Sequence, residues 1–131
     1  MSRPKGARKP RKPCDTRQAR QRLVDARQFL EAAELLDAED VVATNAIHAA
    51  IAAADAIACH ALGERSSDGN HVAAVDLLRK VDAGLATTLK RALDRKTQAA
   101  YESADISAAG AASCVRSAKK LLAAAETRLE S

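Results

Sequence analysis

The chain reads as an all-α protein, an antiparallel up-and-down bundle of four to five helices. Two observations lead there. Apolar residues make up 47% of the 131 positions while aromatics make up 2%, so the apolar share is mostly alanine with leucine, valine and isoleucine. Alanine is the strongest helix former and adds little volume, so a core built on it needs helices that approach closely. Strand-favouring residues, in turn, never gather in an alternating run. The length suits one domain with one core.

Residues 1–14 hold Pro4, Pro10 and Pro13, Gly6 and six cations: Arg3, Lys5, Arg8, Lys9, Arg11 and Lys12. Such a stretch has no apolar surface to bury, so it is expected to be a disordered basic tail ahead of a bundle over 15–131. Up to Arg22 there are nine Lys/Arg against the single acid Asp15. The rest has 12 against 16, so the net charge of +4 belongs to the tail. A tail of this kind can hold phosphates without reading sequence. The alternative is a solubilising extension with no dedicated partner.

The first helix should start at Asp15 or Thr16, either of which can cap it. Its apolar stripe is Leu23, Ala26, Phe29 or Leu30, Ala33 and Leu36, at helical spacing. A second helix should span 38–62, with Ile47, Ile51, Ala54, Ala58 and Leu62 on one face and small residues nearly everywhere else. That predicts a central helix with neighbours on several sides, closed by Gly63 as a left-handed cap. The turn-forming segment 64–70 precedes a short third helix with Val72, Ala73, Val75, Leu77, Leu78 and Val81. A bend is expected near Gly84. The fourth helix should run over 86–101 with Leu89, Ala92, Leu93, Ala99 and Ala100 buried. Ser107 should cap the fifth, which carries Ala111, Cys114, Val115, Ala118, Leu121, Leu122, Ala125 and Leu129. Short links favour antiparallel neighbours.

Several classes are disfavoured. The stretch 43–62 contains Asn45, His48, Asp55 and His60, too polar for a transmembrane span. The basic N-terminus is not followed by an apolar segment, unlike a secretory signal. Cys14, Cys59 and Cys114 are odd in number and widely spaced, which argues against a disulfide framework. A cytoplasmic location follows as the expectation. No cysteine or histidine pair has zinc-site spacing, so no metal and no cofactor are assigned. No glycine-rich phosphate loop is present, and Phe29 and Tyr101 are too few for a base-stacking platform.

Three segments in order carry a resemblance: Thr44-Asn45-Ala46-Ile47-His48-Ala49-Ala50-Ile51 in the second helix, the run from Leu89 to Tyr101 in the fourth, and Ile106 to Leu122 in the fifth. This order resembles a HEPN domain, in particular small actinobacterial members with a basic-x-x-Ala-x-Tyr motif. The resemblance covers about 15–129. It implies a four- or five-helix bundle that dimerises and associates with RNA, nucleotides or a nucleotidyltransferase-type partner, often in toxin–antitoxin pairs. In the family's ribonucleases an arginine steadies the phosphate and a following histidine moves the proton, without metal. Here Arg95 or Lys96 matches the basic position and Tyr101 the tyrosine, but Ala100 lies where the histidine would fall. Lys96 offers a cation without arginine's two-pronged geometry. Tyr101 is a poor general base, since a phenol titrates near ~10, and it points about 140° away from Lys96 on an ideal helix. Its structural reading is to close the end of the bundle and hydrogen-bond a carbonyl.

His48, His60 and His71 are the available substitutes for the missing histidine. His48 shares a face with Asn45, and with Asp55 the two could make a polar seam between helices. The leading reading is a non-catalytic, dimeric binding or regulatory module that meets phosphate through the tail cations and through Arg91, Arg95 and Lys96. The alternative is a metal-independent endoribonuclease using Arg95 or Lys96 with His48, with Tyr101 as a further candidate. A purely structural dimer is the third.

Overall fold

The computed structural model describes residues 10–67, 69–102 and 105–130. Arg3, Lys5, Arg8 and Lys9 of the expected basic tail lie outside them. The bundle is all-α, with five helices and one very short antiparallel ladder: β1 (Arg11–Pro13), α1 (Thr16–Leu35), α2 (Glu39–Leu62), β2 (Glu64–Ser66), α3 (His71–Val81), α4 (Ala83–Tyr101) and α5 (Ala108–Glu130).

Local chemistry explains the helix ends. Asp15 and Gln18 form a capping box: the Asp15 carboxylate accepts from the Gln18 amide, and the Gln18 side chain accepts from the Asp15 amide, both at 2.8 Å. Gly63 ends α2 in the left-handed region at φ 68°, its amide donating to the Cys59 carbonyl. Ser107 opens α5, its hydroxyl accepting from the Gly110 amide at 3.0 Å. A Cβ on Gly110 would come within 2.9 Å of the Ile106 side chain, so a larger residue there would force that side chain to shift. The reversal expected near Gly84 comes two residues earlier. Asp82 ends α3 and caps α4, its carboxylate accepting from the Leu85 amide at 3.0 Å. Gly84 sits inside the first turn of α4.

Helix α2 is the centre, packed against α1, α3, α4 and α5. Nine of its thirteen buried residues are alanines, and every position from Ala52 to Cys59 is buried. By length and hydropathy α2 could cross a membrane, but most of it lies inside the bundle, which accounts for its apolar character. The largest fully buried side chains are Ile57, Leu78, Leu89 and Leu121, one each from α2, α3, α4 and α5. Some expected core positions face solvent instead. Leu36 and Leu62 stand at helix ends and Val72 in the first turn of α3, all exposed. Ala100 is exposed as well, in the last turn of α4.

The N-terminal segment departs most from expectation. Residues 10–14 are ordered. β1 pairs with β2 in the register Arg11↔Ser66, Lys12↔Arg65, Pro13↔Glu64. Cys14 and Cys59 form a disulfide, with their Cα atoms 5.3 Å apart across 45 residues. Cysteine count and spacing could not show this, because the antiparallel packing of α1 on α2 is what brings the last turn of α2 beside the residue preceding the α1 cap. Cys114 is a free, buried thiol.

Packing around α2 makes a sharp forecast. Ala53 is fully buried, so Ala53→Leu should overpack the α2 contacts and cost about 1–3 kcal/mol. Leu35 is 83% exposed, and Leu35→Ala should stay within about 0.5 kcal/mol of the parent. Urea unfolding followed by circular dichroism measures both, and equal effects would contradict the close packing of α2.

Candidate functional site

Lys96 is the anchor of the candidate site. It is half-buried on α4, and its ammonium donates to the Thr44 hydroxyl of α2 at 2.7 Å. Thr44 in turn donates to the Asp40 carbonyl at 2.8 Å. His48 lies one turn further along α2 on the same face. Its ring sits against Phe29 of α1, with centroids 5.2 Å apart and planes inclined by 31°. His71, the first residue of α3, is near enough to act on His48 through space.

The electrostatics of this corner are one-sided. Burial pushes the His48 imidazole below its ordinary value, and the positive charges of His71, Lys96 and Arg22 push it further the same way. No carboxylate of the described residues is among the groups that act on it. The shift favours the neutral imidazole of His48, with lone-pair capacity on its ring, in the field of the Lys96 side chain. The arrangement suits an anionic group with several acceptor oxygens.

The expected seam of Asn45, His48 and Asp55 does not form. The Asn45 side chain donates back to the Val41 carbonyl at 2.9 Å. His48 turns to the surface beside Phe29. Asp55 is buried and belongs to a separate network. It accepts from the Ser66 hydroxyl at 2.8 Å and from Arg22 at 3.1 Å, with Arg65 at 3.8 Å. Burial raises the Asp55 carboxyl, while Ser66 and the guanidiniums of Arg22 and Arg65 pull it back. Arg22 also pairs with Asp25 at 3.2 Å, so its charge is largely answered.

The basic positions of the fourth helix divide. Lys96 turns inward to Thr44, whereas Arg91 and Arg95 stand exposed on the outer face of α4. With Thr87, Lys90, Asp94 and Gln98 they line a shallow groove of about 420 Å³. Lys90 pairs with Asp94 at 2.7 Å, but Arg91 and Arg95 make no ion pair among the described residues. Arg95 and Lys96 both lie near enough to Cys114 to oppose the upward push that burial exerts on its thiol. Tyr101 is 90% exposed, so it does not close the end of the bundle. Arg11 is engaged by Glu64 at 3.2 Å, and Lys12 occupies the middle of β1. No group of three or more His, Cys, Asp or Glu among the described residues could hold a metal ion.

Sequence reasoning paired Arg95 or Lys96 with His48 and offered His71 only as another substitute histidine, but it gave Thr44 no part in the site. His71 lies 23 positions beyond His48, and no local spacing announces that pairing. His71 also stands at one end of a cleft of about 290 Å³ between α3 and α4, with Val72, Val75, Leu93 and Thr97 along it. No family model, curated protein or solved structure matches the chain.

The direction of the His48 shift can be checked. A histidine whose folded value is lowered supports the fold above its ordinary 6.5 and withdraws that support as pH falls through it. Its imidazole signals should titrate with a midpoint below 6.5. Lys96→Gln should move the midpoint upward but not all the way, because burial is the larger cause. An unchanged midpoint in Lys96→Gln would place the ammonium away from His48.

Proposed function

We propose that this chain is a non-catalytic binding module that takes phosphate groups of nucleic acid or a nucleotide at the corner formed by His48, His71 and Lys96. What supports it above all is Lys96, turned from α4 to Thr44 of α2, with His48 one turn further along α2 and no carboxylate of the described residues among the groups that act on it. The exposed Arg91 and Arg95 extend the same charge along the outside of α4. Phosphate held by several cations releases counterions, so affinity should be set mainly by backbone charge and should fall with salt.

The reading includes self-association in the cytoplasm and a nucleotidyltransferase-type protein as a partner, as the HEPN resemblance implies. Six large apolar side chains at or near helix ends, Leu35, Leu36, Val41, Leu62, Val72 and Tyr101, stand exposed and fit such contacts. A HEPN-like assignment also agrees with a five-helix bundle in which α2 is central.

Metal-independent RNA cleavage is the second reading, and one observation favours it. The shift of His48 favours its neutral imidazole in the field of Lys96. A neutral imidazole can accept the proton of a 2′-hydroxyl while an ammonium steadies the phosphate.

Both readings meet the same experiment. Binding of a fluorescent single-stranded RNA is followed by anisotropy across a salt series, with a chelator present. Lys96→Ala and His71→Ala should each weaken binding about tenfold, the scale of a lost charge-assisted hydrogen bond. Wild-type affinity in both variants removes this corner as the binding site. The same mixtures, analysed on a denaturing gel, decide the second reading: intact RNA after long incubation eliminates it, and cleavage lost in His48→Ala establishes it.

A further inference from the structure

The tip of the bundle made by the α1–α2 turn is acidic and apolar together. Every residue from Glu34 to Val41 is exposed, and Leu35, Leu36 and Val41 are 83%, 42% and 44% exposed. Glu31, Glu34, Asp37 and Glu39 stand around them, and none makes an ion pair with a described residue. Asp40 accepts from the Ile106 amide at 3.3 Å. No lysine or arginine occurs between Arg27 and Arg65, so no cation of the surrounding sequence answers these carboxylates. Glu34 also sits in the last turn of α1, where the helix dipole opposes negative charge.

The surface of α4 has the opposite character. Val72, Val75 and Leu93 give the α3–α4 cleft an apolar wall, and Val72 is 73% exposed. The charges at the cleft are balanced, Arg79 by Asp76 at 3.4 Å and Lys90 by Asp94 at 2.7 Å. Lys90 and Asp94 also line the groove that carries Arg91 and Arg95, so cleft and groove are neighbours on α4. Those two guanidiniums stand one turn apart, exposed and without an ion pair among the described residues. Tip and cleft lie toward the same end of the bundle. Lys96 donates to Thr44, the next residue Thr97 lines the cleft, and Asp40 precedes Thr44 by one turn. Adjacent surfaces of opposite character can be exchanged between two copies by a twofold rotation, and that contact closes after two chains.

We propose that two copies of this chain form a twofold dimer in which the α1–α2 tip of each enters the α3–α4 cleft of the other. Leu35 and Leu36 of one copy cover Val72, Val75 and Leu93 of the second. Glu34, Asp37 and Glu39 of the first then meet Arg91 and Arg95 of the second. The apolar contact supplies the attraction, and the charges select the partner and fix its orientation. This interface gives a place to the self-association proposed above and rests on that part of the reading. It needs no nucleic acid, and phosphate bound at Arg91 and Arg95 would compete with it.

Sedimentation velocity of the full chain, without nucleic acid, tests it. The parent should sediment as a dimer at micromolar concentration. A tip variant carrying Glu34→Lys and Glu39→Lys, and a groove variant carrying Arg91→Glu and Arg95→Glu, should each raise the dissociation constant at least about tenfold, because like charges then face each other. Circular dichroism should show both variants as helical as the parent, since all four positions are exposed. An equimolar mixture of the two variants should dimerise again. In that pair the reversed tip meets the reversed groove, and the parental tip meets the parental groove. A parent that stays monomeric overturns the interface together with the self-association reading. A dimer that neither variant weakens, or that the mixture does not restore, overturns this interface and leaves self-association standing through another surface.

Discussion

Everything in this bundle depends on how closely other helices can approach α2. Its alanines have no side chain beyond Cβ, so α1 and α5 lie against its backbone, with α3 and α4 covering what remains. Close approach recovers in dispersion contacts what alanine lacks in apolar area. It also concentrates the larger hydrophobic burial in a few residues, Ile57, Leu78, Leu89 and Leu121, each from a different helix. All four belong to one continuous core with the alanines of α2, and that core holds the helices that carry the candidate site.

The stretch of α2 from Ala52 to Cys59 is buried on all sides and has no place for an unanswered charge, yet it carries Asp55. Its partners come from outside the helix: Arg22 from α1, and Ser66 and Arg65 from β2. Taking a carboxylate out of water is costly, and such a pair need add nothing to stability. What it does is specify. Asp55 is met only when α1 and β2 have the right axial position on α2, so one buried carboxylate fixes the placement of the short ladder that holds the N-terminal segment. The raised Asp55 value shows that burial outweighs the partners in the balance.

Features set by neighbours in sequence were legible, and features set across the fold were not. Asp15, Gly63 and Ser107 announce helix ends because caps act within a few residues. The 3.6-residue periodicity exposed the core faces of α1 and α5 for the same reason. The Cys14–Cys59 bond spans 45 residues, and the Lys96–Thr44 contact spans 52, so neither leaves a local trace. Tyr101 and Ala100 were misplaced because periodicity continues to the end of a helix whether or not a neighbour is there to cover it. Leu62 and Val72 were misjudged likewise, since an apolar residue at a helix end need not be buried.

The resemblance that the fourth helix suggests is judged differently once the helices are packed. Read along one helix, Arg95 to Tyr101 lacks a histidine, and Ala100 argues for binding over cutting. In the fold, the basic residue that turns inward is Lys96, and an imidazole from another helix, His48, is already in its field. The alanine at position 100 therefore weighs less than it does in the sequence. What still separates binding from cleavage is the proton to be returned to a leaving group, which requires a second acid–base group near the first. Of the described residues, His71 is the histidine whose charge reaches His48. A site that cuts therefore needs an acid–base group in addition to His48, whereas a site that only binds needs cations alone.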